Sequence, residues 1–427
     1  MPLTRIFPRS QKICLETFGC TANLGDTMKL RALLQAQGHA IVTEEEAEVV
    51  VVNTCTVTKR TELNVLKRLK ALRDAGKQVV VAGCMAAAQP DLVQHLLGEA
   101  VPLLTPAELS ASYERFPELA FDGVVCALPI AIGCVGNCTY CIVKQARGEL
   151  HCYSPETILE AVRGAVARGA KEIRLTAQDC TAYGCENERG MKLPQLLDMI
   201  TALEGDFRVR VGMMNPDTVS PLLDELLDAF ESEKIFKFFH LPVQAGSDKV
   251  LREMNRHYTV AEFVGMIKRI RARFPDCTLC TDFIVGFPTE TAADFSASVQ
   301  LLELLRPEKV NATRYSPRPG TEAAKLKDLL EREKKERSRI IASRCLAIAL
   351  DYNLALRGTV LPVHIMERGK KGGVISRDSS YRLIALNAEP PLGSTATVRI
   401  TGVTSTYLRG DLQAGESGAV LIGPRGR

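Results

Sequence analysis

The chain has 427 residues, 46% of them hydrophobic, and is longer than one typical domain, so we expect two or three domains. A formal net charge of +4 is too small to indicate a partner, and no apolar stretch is long enough to span a bilayer. The N-terminus lacks the pattern of a signal peptide, so the sequence predicts a cytoplasmic protein. Its fourteen cysteines therefore indicate metal ligation in a reducing compartment rather than a disulfide scaffold.

The first predicted elements are three short apolar strands, each followed by a cysteine. The runs 13–19, 49–52 and 79–82 lead to Cys20, Cys55 and Cys84, respectively. Helical patterns separate the runs, which is typical of parallel strands in an α/β unit. The carboxyl ends of such strands meet at one edge of the sheet, so we expect the three thiols to lie together. Three ordinary buried cysteines are the alternative, but three equivalent strand ends favour an iron–sulfur site.

A second set of three cysteines follows in the spacing C-x3-C-x2-C, at Cys134, Cys138 and Cys141. A [4Fe–4S] cluster is usually held by four cysteines, so three leave one iron open. That iron can bind the amino and carboxylate groups of S-adenosylmethionine (SAM), whose cleavage gives a deoxyadenosyl radical. Tyr140, just before the third cysteine, can pack on the SAM adenine. A zinc site with Cys126 or Cys152 as the fourth ligand is the alternative for this motif alone. Together with the upstream cysteine set, the motif predicts a SAM-binding cluster.

The middle of the chain alternates strand and helix patterns. Strands are predicted at 124–132, 172–176, 208–213, 236–241, 278–285 and 310–315. A helix is predicted over 155–168, with Ser154 as its cap and Pro155 in its first turn. Six such units predict a partial TIM-like barrel, whose chemistry lies at the carboxyl ends of the strands. Residues 327–355 are predicted to form one or two helices that close the barrel.

The tail from residue 357 has short β-type runs separated by Gly-rich turns, which predict a small β-barrel of OB-like character. It carries ten Lys or Arg and five Asp or Glu residues, a balance of +5. A basic barrel suits RNA phosphates. Charge alone would equally fit a domain that is merely well solvated.

Several further motifs occur in a recognisable order. They are 17–23 (TFGCTAN), 52–57 (VNTCTV), 81–84 (VAGC), 134–141, 145–148 (QARG), 240–248 (HLPVQAGSD), 282–288 (DFIVGFP) and 315–321 (YSPRPGT). With these motifs, the chain resembles the radical-SAM methylthiotransferases over essentially its whole length. The stretches 175–179 (LTAQD) and 182–184 (AYG) are most similar to the archaeal and eukaryotic branch, which acts on threonylcarbamoyladenosine in tRNA.

The resemblance implies an α/β protein of three domains. Expected are an N-terminal parallel-sheet domain (1–122), a central partial (β/α)6 TIM-like radical-SAM barrel (123–356) and a C-terminal all-β TRAM barrel (357–427). It also implies two [4Fe–4S] clusters and two SAM molecules, one giving a methyl group and one a radical. The expected product carries a methylthio group at C2 of N6-threonylcarbamoyladenosine, next to the tRNA anticodon.

Residue roles follow from the motifs and the resemblance together. We expect Cys20, Cys55 and Cys84 to hold the auxiliary cluster, and Cys134, Cys138 and Cys141 the SAM cluster. Tyr140 and Gln244 are candidate SAM contacts, Asp179 and Tyr183 candidate substrate or SAM contacts, and Arg314 and Arg318 candidate partners of a substrate carboxylate. Arg368, Lys370 and Lys371 are candidate tRNA phosphate contacts. No side chain is assigned as catalytic, because the clusters carry the chemistry.

Expected partners are the tRNA anticodon loop and a flavodoxin- or ferredoxin-like electron donor, with no membrane and a monomeric state. Three alternatives stay open. The substrate could be isopentenyladenosine in tRNA, or an aspartate of a ribosomal protein. A third possibility is a non-enzymatic RNA-binding protein with zinc sites, in which Cys126 or Cys152 would be a fourth ligand.

Overall fold

The protein is described by a computed structural model that covers residues 3–113, 118–186 and 190–413. Its first layer is a five-stranded, fully parallel sheet of order β2-β1-β3-β4-β5. The strands are β1 (Lys12–Thr17), β2 (Ala40–Ile41), β3 (Val49–Thr54), β4 (Gln78–Gly83) and β5 (Leu103–Leu104). The helices around it are α1 (Leu3–Ile6), α2 (Thr21–Ala36), α3 (Lys59–Asp74), α4 (Cys84–Ala88), α5 (Pro90–Leu97) and α6 (Pro106–Tyr113).

The valine run of β3 explains why this sheet is buried on both faces. Val49 and Val51 pack into one apolar cluster, while Val50 and Val52 pack into a second cluster. Successive side chains of a strand point to opposite faces, so an unbroken apolar run needs helices on both sides. The structure confirms the predicted parallel strands.

Six parallel strands form the central barrel in chain order. They are β6 (Val125–Pro129), β9 (Glu172–Thr176), β10 (Arg208–Arg210), β11 (Phe238–His240), β12 (Thr278–Val285) and β13 (Lys309–Arg314). Two sheets, β6-β9-β10 and β11-β12-β13, meet through a parallel bridge between Met213 and His240. Two short strands, β7 (Ala131–Ile132) and β8 (His151–Cys152), form an antiparallel pair beside β6. This is the expected partial barrel.

Helices follow the barrel strands on the outside. They are α7 (Val143–Arg147), α8 (Pro155–Ala167), α9 (Leu193–Thr201), α10 (Pro216–Val219), α11 (Leu223–Ala229), α12 (Asp248–Glu253), α13 (Val260–Arg273), α14 (Ala292–Leu305) and α15 (Glu331–Ala355). Short 3-10 helices occupy Cys180–Ala182, Ser220–Leu222 and Glu322–Lys325. No helix of the described residues is long and apolar enough to cross a lipid bilayer.

Two element predictions needed correction and one was confirmed in detail. The strand predicted over 124–132 is divided into β6 and β7, because the chain leaves the sheet at Ile130 to pair with β8. The strand predicted over 208–213 ends at Arg210. Helix α8 begins as expected, with the Ser154 side chain accepting a hydrogen bond from the Thr157 N–H. Helix α15 is one continuous helix.

The tail forms a closed five-stranded barrel of order β14-β15-β16-β18-β17. Its strands are β14 (Val360–Arg368), β15 (Val374–Arg377), β16 (Leu383–Leu386), β17 (Thr395–Val403) and β18 (Leu408–Leu412). Residues 414–427 of the predicted tail domain lie outside the described residues. The domain boundaries predicted after residues 122 and 356 fall before β6 and at the end of α15, and stay a prediction.

The tail barrel closes the floor of the central barrel through Tyr381. Its hydroxyl donates to Glu172 Oε1 at 2.5 Å, and its ring packs against Phe236 and Phe238. Arg174 binds both Glu172 and the tail residue Glu367. The tail barrel is therefore packed against the central barrel through a hydrogen bond, aromatic contacts and an ion pair.

Two buried ion pairs join the N-terminal sheet to the barrel. Arg147 Nη2 lies 2.7 Å from Asp26 Oδ2, and Arg318 Nη1 lies 2.6 Å from Glu62 Oε2. All four side chains are 3–4% exposed. Removing one partner of such a pair leaves the other charge buried without compensation, so the pairs fix how the two domains meet.

Glu62→Ala is expected to destabilise the protein by about 3–5 kcal/mol, because Arg318 would keep a buried, uncompensated charge. Burial opposes ionisation of Glu62, but hydrogen bonds from Lys59 and Gln89 and the charge of Arg318 outweigh it and lower its pKa. The stabilisation is therefore present at neutral pH and lost as the pH falls through this lowered pKa. Urea unfolding at pH 7 measures the effect.

The matched control is Lys325→Ala, which removes the ion pair with Glu322, whose two side chains are each 68% exposed. Solvent screens that pair, so a cost of about 0–1 kcal/mol is expected. Equal costs for the two variants would contradict the proposed difference between the buried and the exposed pair.

Candidate active site

One cavity of about 620 Å³ lies between the N-terminal sheet and the mouth of the barrel. All six predicted cluster cysteines line it: Cys20, Cys55, Cys84, Cys134, Cys138 and Cys141. The carboxyl ends of β1, β3 and β4 meet the carboxyl ends of the barrel strands here, where open α/β sheets and TIM-like barrels place their ligands. The sequence prediction that each cysteine set lies together is confirmed.

The three N-terminal cysteines stand at equivalent strand ends. Cys20 directly precedes α2, Cys55 follows β3, and Cys84 is the first residue of α4 after β4. Glycines precede two of them at left-handed backbone angles, with φ +119° at Gly19 and +87° at Gly83. A Cβ on Gly19 would lie 2.6 Å from the Cβ of Cys55, so the close approach of these segments requires glycine.

A buried amide network holds these strand ends together. Asn23 Nδ2 donates to the Thr54 carbonyl at 2.8 Å, and Asn53 Nδ2 donates to the Asn23 carbonyl at 2.8 Å. Arg147 reaches across from the barrel and donates to Asn23 Oδ1 at 3.3 Å. Burial raises the pKa of the Cys84 thiol, and the charge of Arg147 opposes that rise. Arg147 thus favours a thiolate at this edge of the sheet.

The second cysteine set lies in the loop between β7 and α7. The loop is fixed to the end of α12, since Thr139 Oγ1 donates to the Glu253 carbonyl at 2.8 Å and Asn255 Nδ2 donates to the Asn137 carbonyl at 2.9 Å. At Gly133, φ is +80° and a Cβ would lie 1.8 Å from the Glu149 carbonyl oxygen. These hydrogen bonds and the close contact at Gly133 hold the loop backbone in one conformation.

Each thiol of this loop has a donor aimed at its sulfur. The N–H of Gly136 lies 3.4 Å from Cys134 Sγ, and the N–H of Val143 lies 3.4 Å from Cys141 Sγ. Arg256 Nη1 lies 3.5 Å from Cys138 Sγ. Donors in these positions stabilise thiolates and metal-bound sulfur.

The donor chemistry of the cavity fits two iron–sulfur clusters. Burial raises the pKa of Cys55 and of Cys141 to about 12, so without a metal these thiols are neutral. A cluster iron supplies the positive charge that makes them ligands, and two sets of three thiols are typical of clusters with one open iron. Cys126 and Cys152, either of which could be the fourth ligand of the alternative zinc site, are outside the lining. Cys126 is buried in β6, and Cys152 accepts a hydrogen bond from the Gly184 N–H.

The two candidate SAM contacts both line the cavity. Tyr140 lies between Cys138 and Cys141, half-buried beside Arg256. Gln244 has a φ of +71°, which is rare for a residue with a Cβ and is held by main-chain bonds to Asp282 and Ile284. Strain of this kind often occurs at ligand sites. SAM contact by either residue stays a prediction.

The two candidate contacts Asp179 and Tyr183 flank the 3-10 helix Cys180–Ala182 and differ in their position relative to the cavity. Asp179 lines the cavity, but its carboxylate accepts from Thr181, the Asn215 N–H and Thr218 and so caps this helix. Tyr183 is buried outside the lining, and its hydroxyl donates to the Tyr153 carbonyl at 2.9 Å. The structure gives both residues structural partners, and a ligand contact by either one stays a prediction.

Arg314 and Arg318 line the cavity, and each already has a carboxylate partner. Arg314 is half-exposed and pairs with Glu331, while Arg318 pairs with Glu62. Arg368, Lys370 and Lys371 are exposed and are not part of this lining. Arg368 ends β14, and the two lysines lie in the turn to β15, where the Gly369 N–H donates to the Gly373 carbonyl.

Sequence reasoning gave no ligand role to several other lining residues. His240, Asp282 and Asn311 form a polar cluster, with His240 Nε2 and Asn311 Nδ2 at 3.0 and 2.7 Å from Asp282 Oδ1. Burial opposes protonation of His240, but bonds to Asp282 and Cys280 outweigh it and raise its pKa to about 9. Arg210 and Arg256 also line the cavity. The available signal was their position near barrel strand ends.

Comparison with known proteins agrees with this architecture. The Radical SAM superfamily profile matches residues 128–302, the TRAM domain matches 355–412, and the uncharacterized protein family UPF0004 matches 12–103. A "Probable threonylcarbamoyladenosine tRNA methylthiotransferase" of Pyrococcus abyssi is 43% identical over 94% of this chain and 100% of the relative. The chain belongs to the radical-SAM methylthiotransferase family. As a radical-SAM methylthiotransferase, it uses SAM and [4Fe–4S] clusters, two clusters in this family.

The names of two other relatives contain different nucleosides. A Drosophila melanogaster "Threonylcarbamoyladenosine tRNA methylthiotransferase" is 30% identical over 95% of this chain and 78% of the relative. A "tRNA-2-methylthio-N(6)-dimethylallyladenosine synthase" of Acetivibrio thermocellus is 32% identical over 93% of this chain and 90% of the relative. The solved structure of the radical SAM methyltransferase TsrM of Kitasatospora setae shares the fold, with a TM-score of 0.56 and 13% sequence identity. The match covers 74% of this chain and 77% of TsrM.

Replacing Cys134, Cys138 and Cys141 together by Ala should leave about half of the iron in the anaerobically reconstituted methylthiotransferase, since one of two four-iron clusters loses its ligands. SAM cleavage should disappear. Iron analysis and deoxyadenosine quantification measure both effects. The control is Cys345→Ala, a half-buried cysteine of α15 outside the cavity lining, which should keep all its iron. Full iron in the triple variant would refute the ligand assignment.

The Cys20→Ala/Cys55→Ala/Cys84→Ala variant should separate the two halves of the reaction. It should still cleave SAM to deoxyadenosine with a reductant, because the barrel loop keeps its three thiols. It should form no methylthio product, because Cys20, Cys55 and Cys84 are the predicted ligands of the auxiliary cluster that delivers sulfur. Mass spectrometry of the nucleosides detects the product, and methylthio product from this variant would contradict the auxiliary assignment.

Proposed function

We propose that this enzyme adds a methylthio group to C2 of N6-threonylcarbamoyladenosine next to the anticodon of tRNA. The observation that carries the proposal is that two three-cysteine sets from different domains line the same cavity. The named activities of the Pyrococcus and Drosophila relatives support the choice of nucleoside.

In this proposal, Cys134, Cys138 and Cys141 hold the SAM cluster, and Cys20, Cys55 and Cys84 hold the auxiliary cluster. When bound, the clusters and SAM supply methyl transfer, radical formation and sulfur delivery. The chain positions them, since the Arg147 and Arg318 pairs fix the separation of the two sets. Cys55 and Cys84 are buried, and a site shielded from water protects a radical from side reactions.

The adenine must leave its stack to enter a cavity between two domains. An anticodon loop allows this more easily than a duplex, because its bases can be splayed out. The basic turn of the tail barrel is proposed to bind the RNA backbone outside the cavity. A flavodoxin- or ferredoxin-like protein is proposed as the electron donor, and the enzyme as a monomer that acts in the cytoplasm.

A second candidate is the dimethylallyl nucleoside, because one relative of that name is 32% identical over 93% of this chain. The lining polar groups His240, Asp282 and Asn311 favour a polar adenine substituent over this apolar one. The deciding experiment is mass spectrometry of tRNA nucleosides from a deletion strain and from the same strain carrying the gene. Loss of methylthio-threonylcarbamoyladenosine supports the proposal, and loss of only the methylthio-dimethylallyl nucleoside overturns it.

Arg368→Ala/Lys370→Ala/Lys371→Ala should weaken tRNA binding and lower the slope of log K against log salt by roughly one to three units, since each phosphate contact contributes a little under one unit. All three residues are exposed. Cluster content and SAM cleavage without tRNA should not change. Filter binding at several salt concentrations measures the slope.

The control for this prediction is Arg60→Ala/Lys67→Ala/Lys70→Ala, which removes three exposed charges at α3 of the N-terminal domain. A smaller loss in the control is expected. The same loss in both variants would show that overall charge controls binding, and an unchanged slope in the tail variant would show that RNA is held elsewhere.

A further inference from the structure

The cations that line the cavity are not equivalent in their partners. Four of them pair with a carboxylate: Arg147 with Asp26, Arg314 with Glu331, Arg318 with Glu62, and His240 with Asp282. Arg256 donates to Asn215, Tyr258 and Cys138. Arg210 is the lining cation for which the described residues supply neither a carboxylate nor a hydrogen-bond acceptor. A positive charge in this position favours an anion.

Arg210 is nevertheless held in a defined position. Its guanidinium lies 4.9 Å from the ring centroid of Phe238 and 5.9 Å from that of Tyr381. Tyr381 is itself fixed by its hydrogen bond to Glu172. Contacts with aromatic rings leave the N–H groups of an arginine unused, and Arg210 Nε is buried without a partner.

A second unused group lies on the neighbouring strand. Arg210 pairs in register with Arg174 of β9, so Thr176 lies two residues further on the same inner face. Strand spacing and rise put these positions about 8 Å apart, which an arginine side chain can span. The Thr176 hydroxyl lines the cavity, buried and without a hydrogen-bond partner.

Two carboxylates are candidates for this site, one from SAM and one from the substrate. Arg256 contacts the Cys138 sulfur, so it is the cation beside the SAM cluster set. The contacts of Arg210 are with Phe238 and Tyr381 on the barrel floor instead. The threonylcarbamoyl group carries a carboxylate that extends from the adenine, and arginine matches carboxylates with two parallel bonds.

We propose that Arg210, with the Thr176 hydroxyl as an additional donor, binds the carboxylate of the N6-threonylcarbamoyl group and selects this nucleoside. This inference rests on the proposed function and deepens it. It replaces Arg314 and Arg318 as carboxylate partners, because these two are already paired within the protein. It also gives the tail barrel a role at the active site, since its Tyr381 supports the selecting arginine.

The test uses the reconstituted holoenzyme and two synthetic anticodon stem-loops. One carries N6-threonylcarbamoyladenosine, and the other carries the same nucleoside with its carboxylate as a methyl ester. For the wild type, KM should be about 10- to 100-fold lower for the acid, the range expected for bonds to a charged group. Arg210→Gln should raise KM for the acid by that factor and leave the ester unchanged, so that the ratio falls to about one.

Further variants separate recognition from folding. Arg210→Lys keeps the charge without the planar fork and should retain part of the acid preference, and Thr176→Val should reduce it less than Arg210→Gln does. The matched control is Arg208→Gln, two residues earlier on β10, whose guanidinium binds Asp206 outside the cavity lining. Its ratio should equal that of the wild type. Iron content should match that of the wild type in every variant that folds, and RNA-independent SAM cleavage should be normal in the Arg208→Gln control.

Each outcome decides between the two proposals. If the wild type converts neither stem-loop, the proposed function fails and this inference fails with it. If the wild type converts the acid but shows no preference over the ester, the function stands and the carboxylate site is refuted. If Arg210→Gln keeps the wild-type ratio, another residue binds the carboxylate. Should that variant lose iron, the ratios of the wild type and Arg210→Lys decide in the same way.

Discussion

The ion pairs between the N-terminal sheet and the barrel are the constraint on which the active site depends. Arg147 with Asp26 and Arg318 with Glu62 are buried, and each joins a residue beside one cysteine set to the opposite domain. Two clusters that act on one carbon must keep a fixed separation, because a shift of about 1 Å can cost two orders of magnitude in rate. Buried pairs give that rigidity, since breaking them leaves an uncompensated charge.

Arg147, which joins the two domains, also influences the ionisation of a predicted cluster ligand. Arg147 is hydrogen-bonded to the Asn23 network and lowers the pKa of Cys84 against the effect of burial. A thiol in an apolar cleft resists ionisation, so a nearby positive charge helps it to become a ligand. The contact of Arg147 with the N-terminal domain therefore also favours metal binding by Cys84.

The tail barrel takes part in this construction. Tyr381 donates a hydrogen bond to Glu172 of the central barrel, and Glu367 forms an ion pair with Arg174. Ser380 Oγ donates to the Asp276 carbonyl at 2.6 Å, which adds a polar contact to the docked surface. A domain attached in this way can carry an RNA-binding turn at a fixed distance from the cavity and also support Arg210 within it.

The local sequence was enough to predict the elements that local rules control. The buried valine run of β3, the Ser154 cap of α8 and the cysteine after each parallel strand all depend on periodicity and spacing, which are visible in the chain. The succession of parallel sheet, partial barrel and tail barrel, and the position of each cysteine set, followed from these elements and the family motifs. Strand ends were less predictable, because the break at Ile130 depends on pairing with β8.

Partners distant in the chain could not be predicted from the sequence. The sequence suggested Arg318 as a substrate ligand, and it gave no sign of its contact with Glu62, 256 positions away. The sequence signal for Arg210 was its position near a barrel strand end, while its lack of an acceptor among the described residues is visible only in the folded protein. The residue types that carry the chemistry, and the strands on which they lie, can be predicted from the order of residues in the chain. Which charges are compensated depends on the fold, because long-range packing brings acids and bases together irrespective of their spacing.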